Sequence, residues 1–316
     1  MRYHTPRRGF TLIEIMVVIV IISILAAILV PVLGNITRRA RETAVKVEIT
    51  SLENAIADFR TRFGVEPPSH IHVYEKAAQW NSNPADRGTI TRIWPRFLFA
   101  KNRDLDLDGS AGEADPDSDN EAGIHLSGSE CLVFFLGGMT AFDQAGKPYM
   151  TGFSRNPADP LQRPLVVGES RDGPFYEFET ARLVDIDNYP TTGSTSGGDR
   201  FPEYIDTLSN QTAPYLYLSS YGGRGYLPED CWVYNPHGST NPHNPTTGGY
   251  LQNANAFWRA KSFQIISPGS GPHENNLGVY KPYGTGGLYN PESAELLTPQ
   301  DGDNITNFAP SGRLKP

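Results

Sequence analysis

Glu14 is the one acidic side chain inside the apolar run that extends from Phe10 to Leu33. An acidic residue near the centre of a membrane helix costs about 2.5 to 3.5 kcal/mol on insertion scales, so a carboxylate at that position calls for a cationic partner or a function. The cysteines offer a second chemistry. Cys131 and Cys231 are the only two in the chain, far apart, and both fall outside the cytoplasm if the apolar run is an anchor. They are candidates for one disulfide, which would stabilise the fold by up to about 4.7 kcal/mol on the chain-entropy account; two buried thiols is the alternative.

An oxygen-rich segment is a candidate for calcium. Asp104, Asp106 and Asp108 alternate, Gly109 allows a sharp turn, and Asp115 is the twelfth residue counted from Asp104. That is the ligand spacing of a helix-flanked calcium loop. No flanking helix pair is obvious, and the run continues through Asp117, Asp119 and Glu121, so a solvated acidic loop is the other reading. The seven histidines include His70-x-His72 and the pair His237 and His243. No further Cys or His joins them at zinc-like spacing, and loop positions are expected. The chain has no G-x-S-x-G, no H-E-x-x-H and no phosphate-binding G-x-x-x-x-G-K-[ST], and nothing argues for catalysis.

The elements that position these residues are legible in outline. The run 10–33 contains enough apolar residues for one membrane span. It is too long for an ordinary signal-peptide core and is followed by no good small-x-small cleavage site. Arg2, Arg7 and Arg8 before it favour a cytoplasmic N-terminus, whereas Arg38, Arg39 and Arg41 follow it, so charge orients it weakly. Pro31 predicts a kink or an unwound stretch near Gly34. Beyond it, Val45, Ile49, Leu52, Ile56, Phe59 and Phe63 recur at spacings of four and three, the pattern of one helix face. Gly64 supplies a C-cap, and Pro67-Pro68 stop the helix.

The chain as a whole is ordinary in composition, with 38% hydrophobic and 20% charged residues; Gly 31 and Pro 26 imply many turns. Its formal net charge of -8 disfavours binding to a nucleic-acid backbone, and no nucleic-acid partner is expected. Strand candidates lie at 90–99, 175–184, 215–220 and 257–266, while 130–136 reads as a short helix or a buried strand. These predict an α+β fold in which a long N-terminal helix packs on a small antiparallel sheet with long loops. The expected organisation is a leader at 1–9, a transmembrane and assembly helix at 10–33, an amphipathic arm at 34–64 and a globular domain at 65–316.

The string Gly9-Phe10-Thr11-Leu12-Ile13-Glu14, followed by an apolar helix and an amphipathic arm, resembles the N-terminal signal of type IV pilins and type II secretion pseudopilins. The resemblance covers roughly the first 65 residues. It implies that a prepilin peptidase cuts between Gly9 and Phe10 and methylates the new amine of Phe10. It also implies that Glu14 promotes filament assembly and that Pro31 lies where family helices bend or melt. A cationic amine on a neighbouring copy would compensate Glu14 and fix the axial register, and such a head-to-tail contact propagates as an open filament. Near the C-terminus, Ser267-Pro268-Gly269 and the later Asp301-Gly302-Asp303 resemble the closing loop of major pseudopilins, in which such a segment holds calcium. The resemblance implies ligand roles for Asp301 and Asp303, and the chain departs from the family in the long insertion, 272–299, that separates the two parts.

Three functions follow as expectations. The first is a non-enzymatic pseudopilin of a type II secretion-like system, anchored in the bacterial inner membrane with a periplasmic head. Its partners would be other copies and related pseudopilins, the peptidase, an ATPase-driven assembly platform and membrane lipid. The second is a surface type IV pilin or adhesin. The third, a membrane-anchored enzyme with a pilin-like leader, is opposed by the missing catalytic constellation.

Overall fold

The computed structural model describes residues 11–105, 124–164, 169–184, 201–208, 214–226, 251–253, 256–269 and 304–309, with backbone alone for 29–35, 251–253 and 256. In chain order it begins with α1 (Leu12–Phe63), β1 (Ile71–Val73), α2 (Ala77–Ser82), α3 (Pro84–Ile93), β2 (Ile124–Leu126) and α4 (Gly128–Gly137). Short strands follow: β3 (Thr140–Phe142), β4 (Pro148–Met150), β5 (Phe153–Ser154), β6 (Arg171–Asp172), β7 (Leu183–Val184) and β8 (Glu203–Tyr204). The last are β9 (Leu216–Ser219), β10 (Leu251–Asn253), β11 (Ala256–Phe257), β12 (Phe263–Ser267) and β13 (Ile305–Thr306). The expected α+β class, with a long N-terminal helix and small antiparallel sheets, is what the chain adopts.

Two compact units divide between Ala44 and Val45. In the first, α1 passes through Pro31 and Gly34 without leaving the helical state, so the unwound stretch predicted there is absent. Proline removes one backbone donor from a helix, and the surrounding turns continue across the gap. The apolar side chains of 12–28 face outward, from Leu12 at 85% exposure to Ile28 at 64%. Among the described residues no helix is long and apolar enough to cross a membrane. The apolar side chains described span about 25 Å at the α-helical rise, against a hydrocarbon core of about 30 Å.

In the second unit the remainder of α1 buries the predicted stripe. Val45, Ile49, Leu52, Ile56 and Phe59 are each 2% exposed or less, and Phe63 packs partly buried at the end. Gly64 then takes φ +79° and donates its N–H to the Arg60 carbonyl at 2.7 Å, closing the helix as predicted. Phe59 meets Phe135 of α4 at 5.8 Å between ring centroids, and Phe63 meets Trp94 at the same separation. Every residue of α4 is buried, and the helix packs on β8 and β9. Its start is a capping box, in which Ser127 and Glu130 bond reciprocally and satisfy two backbone donors of the first turn. This decides the open helix-or-strand reading of 130–136 in favour of helix.

The largest described sheet has the order β13-β12-β9, antiparallel throughout, with Ile265 opposite Tyr217 and Ser267 opposite Ile305. It is tied to the chain just after α1, since the Tyr217 hydroxyl donates to the Pro67 carbonyl at 2.8 Å and the Ser219 N–H to Ser69 Oγ at 2.7 Å. The other described strands pair two by two, including β1 with β2. Strand expectations at 215–220 and 257–266 match β9 and, mainly, β12. The expectation at 90–99 is corrected. Pro84 at the first helical position and Asp86 in the first turn start α3, and Ile90 and Ile93 fall on its buried side. Of 175–184, only Leu183–Val184 is strand; a 3-10 turn, Thr180–Arg182, precedes it.

Candidate functional site

The N-terminus of α1 is built by Thr11 and Glu14. Glu14 Oε2 accepts the Thr11 backbone N–H at 2.7 Å and the Thr11 hydroxyl at 2.8 Å, while the Glu14 N–H points back to Thr11 Oγ1 at 3.3 Å. This is a capping box, with Thr11 at the N-cap and Glu14 three residues on, so the motif's threonine and glutamate together start the helix. The second oxygen, Oε1, has no partner among the described residues. Oε2 of the carboxylate is thus engaged by the chain's own N-cap residue. Gly9 and Phe10, the expected processing pair, lie outside the described residues, and so do the side chain and surroundings of Pro31.

Farther along α1, Glu48 gathers a polar cluster that sequence reasoning missed. Its Oε1 accepts from Tyr176 Oη at 3.0 Å, from Tyr204 Oη at 3.1 Å and from Arg182 Nη2. Its Oε2 accepts from Arg182 Nη1 at 3.0 Å and Tyr215 Oη at 2.6 Å. Arg182 also lies over the Tyr204 ring, 4.2 Å from its centroid. Burial, together with the Glu48 charge, pushes the Tyr215 and Tyr176 phenols well above their ordinary range, so both stay protonated and donate. Burial opposes the charge on Arg182, and the bonds and charge of Glu48 outweigh it, raising that guanidinium. A second carboxylate, Glu53, takes Arg259 Nη2 at 3.2 Å and Asn307 Nδ2 at 3.1 Å. The signal for Glu48 was present: it stands three residues after Val45 and four before Leu52, on the apolar face itself.

The metal expectations fall largely outside the described residues. Asp106, Asp108, Asp115, Asp301 and Asp303 all do. Asp104 is described, and it engages Arg163, whose Nη2 donates to the Asp104 carbonyl at 3.0 Å and sits 3.7 Å from its carboxylate. Cys131 is buried in α4 with Sγ 3.5 Å from the Leu126 carbonyl; Cys231 lies outside the described residues. Among the described residues no group of three or more His, Cys, Asp or Glu side chains is arranged to hold a metal ion as it stands. The loop placement expected for the histidines is corrected for His72, which lies in β1, and pairing of β1 with β2 sets His125 directly opposite it.

The comparisons bear on the N-terminal segment. Residues 5–30 match the family model described as the prokaryotic N-terminal methylation motif. The type II secretion system core protein G of Escherichia coli (strain K12) is 51% identical over 57 residues, 18% of this chain and 39% of that protein. The protein of the same name from Vibrio cholerae is 41% identical over 68 residues, 21% of this chain and 46% of that one. That from Pectobacterium carotovorum is 53% identical over 51 residues, 16% of this chain and 32% of the relative. The chain spans less than half the length of the curated relatives it matches. No solved structure matches it. Over this N-terminal segment the chain is similar to these type II secretion core proteins.

Proposed function

We propose that this chain is a structural, non-catalytic pseudopilin of a type II secretion-like system with a pilin-like fold. Prepilin peptidase cuts it between Gly9 and Phe10 and methylates Phe10. The segment 10–33 spans the inner membrane, and an ATPase-driven platform assembles the subunit with other copies and related pseudopilins into a periplasmic filament. The supporting observation is the coincidence of the matched motif with the Thr11–Glu14 capping box, which leaves Glu14 Oε1 available. In hydrocarbon, the α-amine of a neighbouring Phe10 is the cation best placed by sequence to take that acceptor.

The test is mass spectrometry of the chain expressed beside a prepilin peptidase. A mature N-terminus at N-methyl-Phe10, lost when Gly9 is replaced by a bulky residue, is the expected result. An unprocessed chain, or cleavage elsewhere, overturns the reading. Long extracellular fibres containing this chain would replace the periplasmic pseudopilus with a surface pilus.

A further inference from the structure

The outward face of the β1–β2 pair concentrates three imidazoles. Ile71, Val73, Ile124 and Leu126 turn inward and are buried, so the alternation of a strand leaves His72 and His125 on the opposite face, paired in register. His70 stands two residues before His72 and shares its side. The ring centroids are 4.7 Å apart for His70 and His125, 5.0 Å for His72 and His125 and 5.4 Å for His70 and His72. Three imidazoles bound tetrahedrally to one zinc ion, with Zn–N near 2.0–2.1 Å, place their ring centroids about 5 Å apart. The three separations bracket that value.

Two donor atoms already face each other. His125 Nε2 lies 3.0 Å from His70 Nδ1, slightly inside the separation of about 3.3 Å that two nitrogens keep on a tetrahedral zinc ion. The third ring is held from behind. Asp86, in the first turn of α3, accepts the His72 backbone N–H at 3.3 Å and the Tyr74 hydroxyl at 2.7 Å, and its carboxylate sits 3.8 Å from His72 Nδ1. A carboxylate behind one nitrogen of a histidine is the usual support for a metal on the other, because it fixes the tautomer and the ring orientation. His72 is partly open to solvent, with 29% of its side chain exposed.

We propose that His70, His72 and His125 form a binding site for a borderline divalent transition metal, with zinc as the ion, and that Asp86 positions His72 for it. Binding requires His72 to rotate its Nε2 toward the gap between the other two rings, which open by a few tenths of an ångström. The ring donating across the His70–His125 contact moves its proton to its other nitrogen, so two neutral imidazoles present lone pairs without net proton release. Water or a partner's side chain completes the fourth position. Nitrogen donors favour zinc, nickel and copper over the hard cations that the chain's carboxylate-rich segments would attract. This inference stands apart from the proposed secretion role.

The experiment uses the full chain in detergent, without a histidine tag, stripped with chelator and titrated with zinc and with cobalt. One zinc per chain, a raised melting temperature and cobalt d–d bands of tetrahedral intensity are expected. His72→Gln and His125→Gln should each weaken zinc binding at least tenfold, and Asp86→Asn several-fold. X-ray absorption on the unmutated zinc form should count three imidazoles, and a variant with His4, His237, His243 and His273 replaced should keep full affinity, so the site is decided even if a variant at His70, His72 or His125 fails to fold. Undiminished affinity in the His70, His72 and His125 triple variant would assign the metal to other histidines and overturn the proposal, as would no binding at about 100 μM zinc.

Discussion

Glu48 of α1 and Arg182 form a two-point ion pair in which both side chains are nearly closed to solvent, at 11% and 10% exposure. A buried pair of this kind costs more to break than to lack, because removing one partner leaves the other charge uncompensated. Glu48→Ala should therefore destabilise the chain by about 3 kcal/mol or more. Tyr215→Phe, which removes one of the hydrogen bonds to Glu48, should cost about 1 kcal/mol. Denaturant midpoints of the two variants check the order; equal effects would show that the carboxylate is not the hub.

The double duty of Thr11 and Glu14 can be separated. Thr11→Ala removes the cap and should lower helix stability by about 1 kcal/mol while leaving the carboxylate for assembly. Glu14→Ala removes both. On the proposed function, the first variant still enters filaments and the second is processed but assembles poorly. Filament yield by shearing and immunoblot, scored beside the mature N-terminal mass, distinguishes them.

Glu66 gives a pH dependence of a definite sign. Burial raises its carboxyl above the ordinary range, Arg60 only partly opposes this, and Oε2 has no partner among the described residues. The folded state thus holds this proton to a higher pH than the unfolded chain does. The associated stability is present in acid below the unfolded carboxyl value and is lost as pH rises through the folded one. Glu66→Gln should flatten that part of the stability–pH curve above about pH 4.5. A variant whose loss on raising pH equals that of the parent would refute the assignment.

Gly138 and Gly152 cross so closely that a Cβ on Gly138 would fall 2.2 Å from the Gly152 carbonyl carbon, and Gly138 also takes φ +86°. Gly138→Ala must move backbone as well as strain the chain, and a loss of at least about 2 kcal/mol is expected. Thermal unfolding measures it. Gly146→Ala, also at positive φ but with open space around it, should cost less.

What could be read from residues alone followed the range of the contacts involved. The stripe from Val45 to Phe63 was plain because a helix repeats its buried face locally, and Gly64 marked its end. The start of α4 was legible as well, in Ser127 and Glu130, although the all-apolar run behind them matches a buried strand equally well. The stretch 90–99 misled because Ile90, Thr91 and Ile93 favour strands in isolation, whereas the helix start lies upstream at Pro84. His125 could not have been placed beside His72, since only the pairing of strands more than fifty residues apart brings them together. Glu48 was readable from its phase, but its partners at 176, 182, 204 and 215 were not.

Ser267 and Ile305 are direct partners across β12 and β13, so the long intervening stretch leaves and re-enters the sheet at one place. Closing such a stretch costs free energy that grows only with the logarithm of its length. The gap between these two residues is therefore a natural grafting point. A short turn could replace the native stretch, or a foreign peptide could be displayed there, with both anchoring strands kept in register.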